Sequence, residues 1–255
     1  MFNDIKIGPV TFHMYGLMIA IGFAAALMMC LKRGKKRGLN EDIIYGIFFC
    51  AIFGGMIGCR LLYYIVEIPE ILKDPSILWN FKNGYVVYGG IIGGALTSFI
   101  YCRVKKERFL PYFDLVMPSV SFAQGFGRLG CFFAGCCYGK ETSLPIGIVF
   151  PEGSFAPAGV PLLPTQLFSS AGDFVIAFVL VRMTGKMRHT GDVGALYLML
   201  YGIGRFCVEF LRTNEQGGFI GLTTAQLISI VFMIISIVLF IRNKRAADRE
   251  DLMYI

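Results

Sequence analysis

Residues 221–241, GLTTAQLISIVFMIISIVLFI, contain no Asp, Glu, Lys, Arg or His. About 20 predominantly apolar residues are what one α-helix needs to cross the hydrocarbon core of a bilayer. Working outward from this stretch, apolar runs of similar length recur at about 10–31, 43–66, 86–102, 113–137, 165–181 and 193–212, joined mostly by short polar connections. The seven runs fill the chain and leave no room for a second folded domain. The predicted fold class is therefore all-α, a polytopic integral membrane protein of seven transmembrane helices forming a single membrane domain over 1–255. Composition agrees: of 255 residues 56% are hydrophobic and 16% charged, with a mean hydropathy of +0.65, against about 25% charged in an ordinary soluble domain. The first run has only Lys6 ahead of it and is followed by basic residues, not a small-residue cleavage site, so a retained span is expected instead of a signal peptide. The glycine-dense stretches YGGIIGGALTSF and GFGRLGCFFAGCCYG are places where a helix lining a cavity can unwind.

The net charge of +7 would point to an acidic partner such as nucleic acid in a soluble protein. Placement argues against that. The segments 32–42, 103–108, 182–190 and the tail from Arg242 hold sixteen of the 24 Lys and Arg, whereas the opposite loops hold only Lys6, Lys73, Lys82 and Lys140. The positive-inside rule puts the first set, with the C-terminus, in the cytoplasm and the N-terminus outside. The two long connections, about 67–85 and 138–164, then lie outside. The second carries five prolines and three glycines within KETSLPIGIVFPEGSFAPAGVPLLP, which predicts an irregular loop or short hairpin over the outer mouth, a candidate lid.

Four arginines remain, Arg60, Arg128, Arg205 and Arg212, within or at the ends of spans. A charge at the bilayer centre costs at least about 2.5 kcal/mol, so such residues usually face a polar cavity and mark function. Tyr201, Arg205, Glu209 and Arg212 in YGIGRFCVEFLR fall on one helix face. An Arg205–Glu209 pair alone would be as well explained by an internal lock between helices. The stripe has more arginine than glutamate, however, and Arg128 and Arg60 add to the excess. Guanidinium surplus in a membrane cavity calls for an anion, and phosphate matches the guanidinium fork bidentately, so a phospholipid headgroup is the expected ligand. Most of the glycines in GGMIGCRLLYY (54–64) and YGGIIGG (88–94) are better read as close helix packing. GFGRLG lacks the strand and Lys-Ser context of a nucleotide loop.

The eight cysteines include Cys131, Cys136 and Cys137 in GRLGCFFAGCCYG (127–139). A Cys-x4-Cys-Cys spacing with only two histidines in the chain is unlike a zinc site, so no metal and no cofactor is expected. A thiol redox pair is a competing reading, weakened by the absence of Cys-x-x-Cys. Most of the cysteines read as small apolar packing residues.

Taken together, GPVTFHMYGLM (8–18), GGMIGCRL, YGGIIGG, DLVMPSVSFAQGFGRLGCFFAGCCYG (114–139), LPTQLF (163–168) and YGIGRFCVEFLR (201–212) resemble the prolipoprotein diacylglyceryl transferase family, over about residues 8–241. The resemblance implies an enzyme of the bacterial cytoplasmic membrane that moves diacylglyceryl from phosphatidylglycerol to the lipobox cysteine of a prolipoprotein signal peptide, with the bilayer as its medium and no nucleic-acid partner. It implies that Arg128 and Arg205 are essential and grip the lipid phosphate, and that Tyr15, Tyr201, Glu209, Arg212, Arg60, Asp114 and Gln166 surround the cavity. This chain departs from the family where His-Gly-Gly is replaced by Tyr88-Gly89-Gly90, and where polar residues give way to Cys131, Ala134 and Cys136.

That reaction needs a stabilised leaving phosphate, a deprotonated thiol, and both aligned away from water. The arginines supply the first. For the second, Tyr88 stands where the family has histidine, but an ordinary phenol is a weak base. Glu209, His13 and simple thiolate stabilisation by an electropositive cavity are the alternatives. A related transferase with another acceptor and a non-catalytic phospholipid-binding protein are the competing functions.

Overall fold

A computed structural model describes the backbone of residues 4–7, 10–80, 84–187, 189–212 and 221–253, and the side chains of 13–80, 84–187, 189–212 and 221–245. Lys82 and Arg188, two of the charges used above to orient the chain, lie outside the described residues, as does the Lys6 side chain. Seven helices of 18 residues or more correspond in order to the seven apolar runs: α1 (Met14–Lys36), α2 (Glu41–Val66), α4 (Val87–Val104), α5 (Phe109–Ala134), α6 (Thr165–Met183), α7 (Asp192–Glu209) and α8 (Thr224–Met253). A short α3 (Ile68–Lys73) and a 3-10 turn (Pro75–Trp79) follow α2. Five helices, α1, α2, α4, α6 and α8 as far as Arg245, are long and apolar enough to cross a membrane. The other two, α5 and α7, carry Asp114 and Arg128, and Asp192, Arg205 and Glu209. The protein is mostly helical and has the composition of a polytopic membrane protein.

Three boundaries differ from the sequence reading. Residues 10–13, read as the start of the first span, form strand β2 (Val10–His13), paired antiparallel with β1 (Asp4–Ile7). Apolarity alone does not separate a short strand from a helix start, and β-branched Val10 and Thr11 favour the strand. The fourth helix ends at Ala134 instead of 137. Gly135 takes a left-handed φ of 73°, and the Gly135 and Cys136 amides donate back to Phe132 O and Cys131 O, capping the last turn. The sixth run stops being helical at Glu209, so Arg212 sits in the turn beyond and the polar stripe proper is Tyr201, Arg205 and Glu209. The glycine-dense stretches otherwise remain helical, with only 135–139 leaving α5. Within 138–164 the expected short hairpin is present as β3 (Ile148–Val149) paired with β4 (Pro161–Leu162).

The chain divides into two compact units, residues 31–112 and residues 1–30 with 113–255. In the first, α2 and α4 pack along a seam of small residues. A Cβ on Gly58 would collide with the Gly89 carbonyl, and one on Gly93 with the Gly54 carbonyl, so only glycine lets these backbones meet. Thr97 Oγ1 crosses the seam to donate to Cys50 O at 2.8 Å. Asn40 caps α2 by accepting from the Asp42 amide at 2.9 Å.

In the second unit α5 is the central strut. Cys30 Sγ of α1 donates to Ser119 Oγ at 3.1 Å, Ser121 Oγ donates to Asp173 O of α6 at 2.7 Å, and Ser170 Oγ of α6 donates to Gly125 O at 2.9 Å. Phe122, Phe126 and Phe174 meet edge to face, their centroids 5.3–5.4 Å apart. Helix α8 is fastened to α7 by Ser236 Oγ on Ala195 O at 2.6 Å and by Asn243 Nδ2 on Asp192 Oδ1 at 3.0 Å. Small residues and hydroxyls dominate these joints because lipid gives no hydrophobic drive between helices. The outward faces, for example Ile234, Ile237, Val238 and Ile241 of α8, are exposed and apolar, as hydrocarbon contact requires.

Candidate functional site

Helices α5, α6 and α7 of the second unit line a small, partly open cleft of about 50 Å³. Its polar lining is Arg128 from α5, Ser169 and Asp173 from α6, and Tyr201 and Arg205 from α7, with Phe168, Ile176 and Val208 supplying apolar wall. Tyr201 and Arg205 reach the same cleft because four residues is one helical turn. Stacking on Tyr197, with centroids 5.7 Å apart, fixes the Tyr201 ring, and Tyr197 donates to Gln124 Oε1 at 2.9 Å.

The charged groups of the cleft are held unequally. Arg205 Nη2 lies 2.9 Å from Glu209 Oε2. That oxygen makes a charge contact, not an aligned hydrogen bond, whereas Glu209 Oε1 accepts from Thr223 Oγ1 at 3.1 Å. Arg128 forms no hydrogen bond or ion pair with any described residue, although Asp173 and Tyr201 are near enough to act on it electrostatically. Asp173 is 5% exposed, and its Oδ2 has no hydrogen-bond partner among the described residues. A buried carboxylate oxygen and a guanidinium without partners, facing one cleft, are costly unless a ligand completes them.

Other residues named from the sequence are placed as follows. Tyr15 lies against Gly130, whose missing side chain gives it room. Gln166 is buried and donates from Nε2 to Cys136 O at 2.8 Å, while its Oε1 has no partner among the described residues. Arg212 follows the end of α7, close enough to Arg205 and Cys137 to act on both electrostatically. His13 is exposed at the end of β2. Asp114 accepts from the Gly191 and Gly194 amides at 2.6 and 2.8 Å, holding the start of α7. It precedes Arg128 by about 21 Å of helix at 1.5 Å per residue. Arg60 and Tyr88 belong to the other unit. There the Arg60 guanidinium donates to Gly84 O, Ile77 O and Leu78 O at 3.1–3.2 Å and to Tyr64 Oη at 2.7 Å.

Two features were not resolved by the sequence reading. Asp173 is a charge within the run 165–181 that the sequence pattern does not place with the arginines. No helical neighbour on α6 marks it, and only the packing of α6 on α5 and α7 brings it into the cleft. Cys131, Cys136 and Cys137, whose spacing argued against a shared site, converge until their sulfur atoms all lie within 4.8 Å of one another.

The protein is of the polytopic membrane class, with a cleft lined by two arginines, one of which has no hydrogen-bond or ion-pair partner among the described residues. A family model for prolipoprotein diacylglyceryl transferase matches residues 4–242. A phosphatidylglycerol–prolipoprotein diacylglyceryl transferase of Clostridium tetani is 48% identical over 91% of this chain and 96% of its own length. A second enzyme of that name from Clostridium perfringens is 44% identical over 93% of each chain, and one from Streptococcus uberis 35% identical over 94% of each. The chain belongs to the prolipoprotein diacylglyceryl transferase family.

Proposed function

We propose that this protein transfers the diacylglyceryl group of phosphatidylglycerol to the lipobox cysteine of prolipoproteins, forming a thioether and releasing glycerol phosphate. Family membership supports the reaction, and Arg128, which has no hydrogen-bond or ion-pair partner among the described residues and lines the α5–α6–α7 cleft, is the observation that carries its siting. Arg128 and Arg205 hold the phosphodiester, and their guanidinium donors meet the charge that develops on the departing phosphate oxygens as the carbon–oxygen bond breaks. Asp173 and Glu209 orient these two arginines without cancelling them, and Arg212 adds positive charge at the end of α7. Tyr201 donates its hydroxyl to the headgroup, and Tyr15 closes the side of the cleft next to Gly130. Phe168, Ile176 and Val208 take the apolar part of the lipid and keep water from the reacting carbon.

Gln166 acts through the loop it holds at Cys136, and Asp114 acts indirectly by setting the start of the helix that carries Arg205. His13 and Tyr88 are assigned to the substrate path by family resemblance, whereas Arg60, its guanidinium bonded to three backbone carbonyls and Tyr64 Oη, is assigned a scaffold role. The distribution of Lys and Arg supports seven spans in the bacterial cytoplasmic membrane, with the N-terminus and the 138–164 loop outside and the C-terminus in the cytoplasm. In a single membrane domain of that orientation, the lipobox peptide reaches the cleft from the outer side.

Protein in phosphatidylglycerol vesicles with a lipobox peptide, followed by mass spectrometry, tests this reading. The peptide gains one diacylglyceryl mass with wild type and none with Arg128→Ala. Lipid binding without a diacylglyceryl peptide would instead assign a non-catalytic role.

A further inference from the structure

The three thiols beside the cleft are arranged as a ligand set. Cys131 lies one turn beyond Arg128 on α5, on the same helix face. Past the Gly135 cap, Cys137 takes φ 61°, a left-handed conformation that a residue with a Cβ seldom adopts and that persists only where surroundings enforce it. The enforcement comes from the N-terminus of α6: Thr165 Oγ1 donates to Cys137 O at 2.9 Å and Gln166 Nε2 to Cys136 O at 2.8 Å. The strained turn folds Cys136 and Cys137 back toward Cys131, so that the three Sγ atoms lie within 4.8 Å of one another, all partly accessible. Three sulfurs at about 2.3 Å from a tetrahedral zinc ion are about 3.8 Å apart, so small side-chain rotations close the set. Vicinal Cys136 and Cys137 point to the same centre, which a single disulfide does not need.

We propose that Cys131, Cys136 and Cys137 bind one Zn²⁺ ion and leave its fourth position open for the thiolate of the acceptor cysteine. Three protein ligands with an open position are the pattern of catalytic zinc, and thiolate donors select zinc over hard cations. Zn²⁺ with three thiolates carries one net negative charge, which Arg212, the cation acting most strongly on Cys137, offsets, so that Arg128 stays available to the phosphate. The acceptor role rests on the transferase reading given above. A thiol bound to the ion loses its proton outright. The proton passes to water, the zinc-bound sulfur donates its electron pair to the glyceryl carbon, and the carbon–sulfur bond forms. The carbon–oxygen bond breaks with its electron pair going to glycerol phosphate beside Arg128, and the neutral thioether leaves the metal. No oxidant or reductant is consumed. The site thus supplies the thiol activation that Tyr88, in place of the family histidine, is poorly suited to give.

The test uses the full chain, reduced, in detergent, loaded with Zn²⁺ or Co²⁺ and then desalted. The expected result is one metal ion retained per chain, intense thiolate-to-Co²⁺ charge-transfer absorption, and loss of both when Cys131, Cys136 and Cys137 are replaced together by Ala. Adding a lipobox peptide should strengthen the charge-transfer band, and a peptide with Ser for the acceptor Cys should not. Spectra on the unsubstituted chain keep the test valid where the triple variant fails to fold. No retained metal, Co²⁺ bound without thiolate bands, or thiols found as a disulfide in the active protein would overturn the metal site. Transfer activity surviving in metal-free protein would overturn the role in activation while leaving the transferase reading intact. Stoichiometric metal with no diacylglyceryl transfer would contradict that reading and not the site.

Discussion

Arg60 and Arg128 each stand in a glycine-containing helix of a strongly apolar chain, yet they are held in opposite ways. Arg60 is 8% exposed and has its guanidinium spent on three backbone carbonyls and the Tyr64 hydroxyl, with the Tyr64 ring 4.6 Å below it. It ties the 3-10 turn and the segment before α4 to the end of α2, within a unit whose helices meet glycine to glycine. Arg128 has none of this, and instead faces a cleft with Asp173, Tyr201 and Arg205. A cation in hydrocarbon is tolerable when its donors are satisfied. Satisfied by the backbone, it is part of the scaffold; left open toward a cavity, it is a place for a ligand. The same residue type is thus saturated by backbone in one unit and turned toward a cleft in the other.

Substitutions sharpen the contrast, in decreasing order of effect. Arg128→Ala should lower diacylglyceryl transfer on the order of 10³-fold, the upper range for removing one donor to a developing anion, with little change in melting temperature. Gly58→Leu should destabilise the protein by about 3 kcal/mol through a backbone collision that cannot relax, seen as loss of folded protein in detergent. Arg60→Met should cost about 2 kcal/mol of stability by stranding carbonyls it now satisfies, while activity per folded molecule stays within a few-fold of wild type. Equal loss of turnover in Arg60→Met and Arg128→Ala would erase the distinction. Asp173→Asn should reduce turnover about tenfold without weakening phosphatidylglycerol binding, because it unsettles Arg128 yet removes no attraction for phosphate. Ser121→Ala, which removes a single hydrogen bond between α5 and α6, should cost about 1 kcal/mol and leave the chemistry unchanged.

The helices were legible because hydrocarbon demands long apolar runs, and each run became a helix in order. Their ends were less so. Val10–His13 adjoins the first apolar run but pairs as a strand, and the α5 terminus depends on the left-handed Gly135, not on hydropathy. At the site, the meeting of Tyr201 with Arg205 follows from helix periodicity, and both fall in the cleft with Arg128. Asp173 and the converging thiols depend instead on which helices are neighbours and on one strained turn, and neither is written in spacing. The saturation of Arg60 was not legible either, because its partners are backbone carbonyls, which any sequence supplies and no motif announces.

The most direct measurement compares Arg128→Ala with Arg60→Met in phosphatidylglycerol vesicles, scoring diacylglyceryl transfer to a lipobox peptide per folded molecule. Product lower on the order of 10³-fold is expected from the first and near wild-type product from the second. Product from Arg128→Ala at a rate near wild type would contradict that expectation.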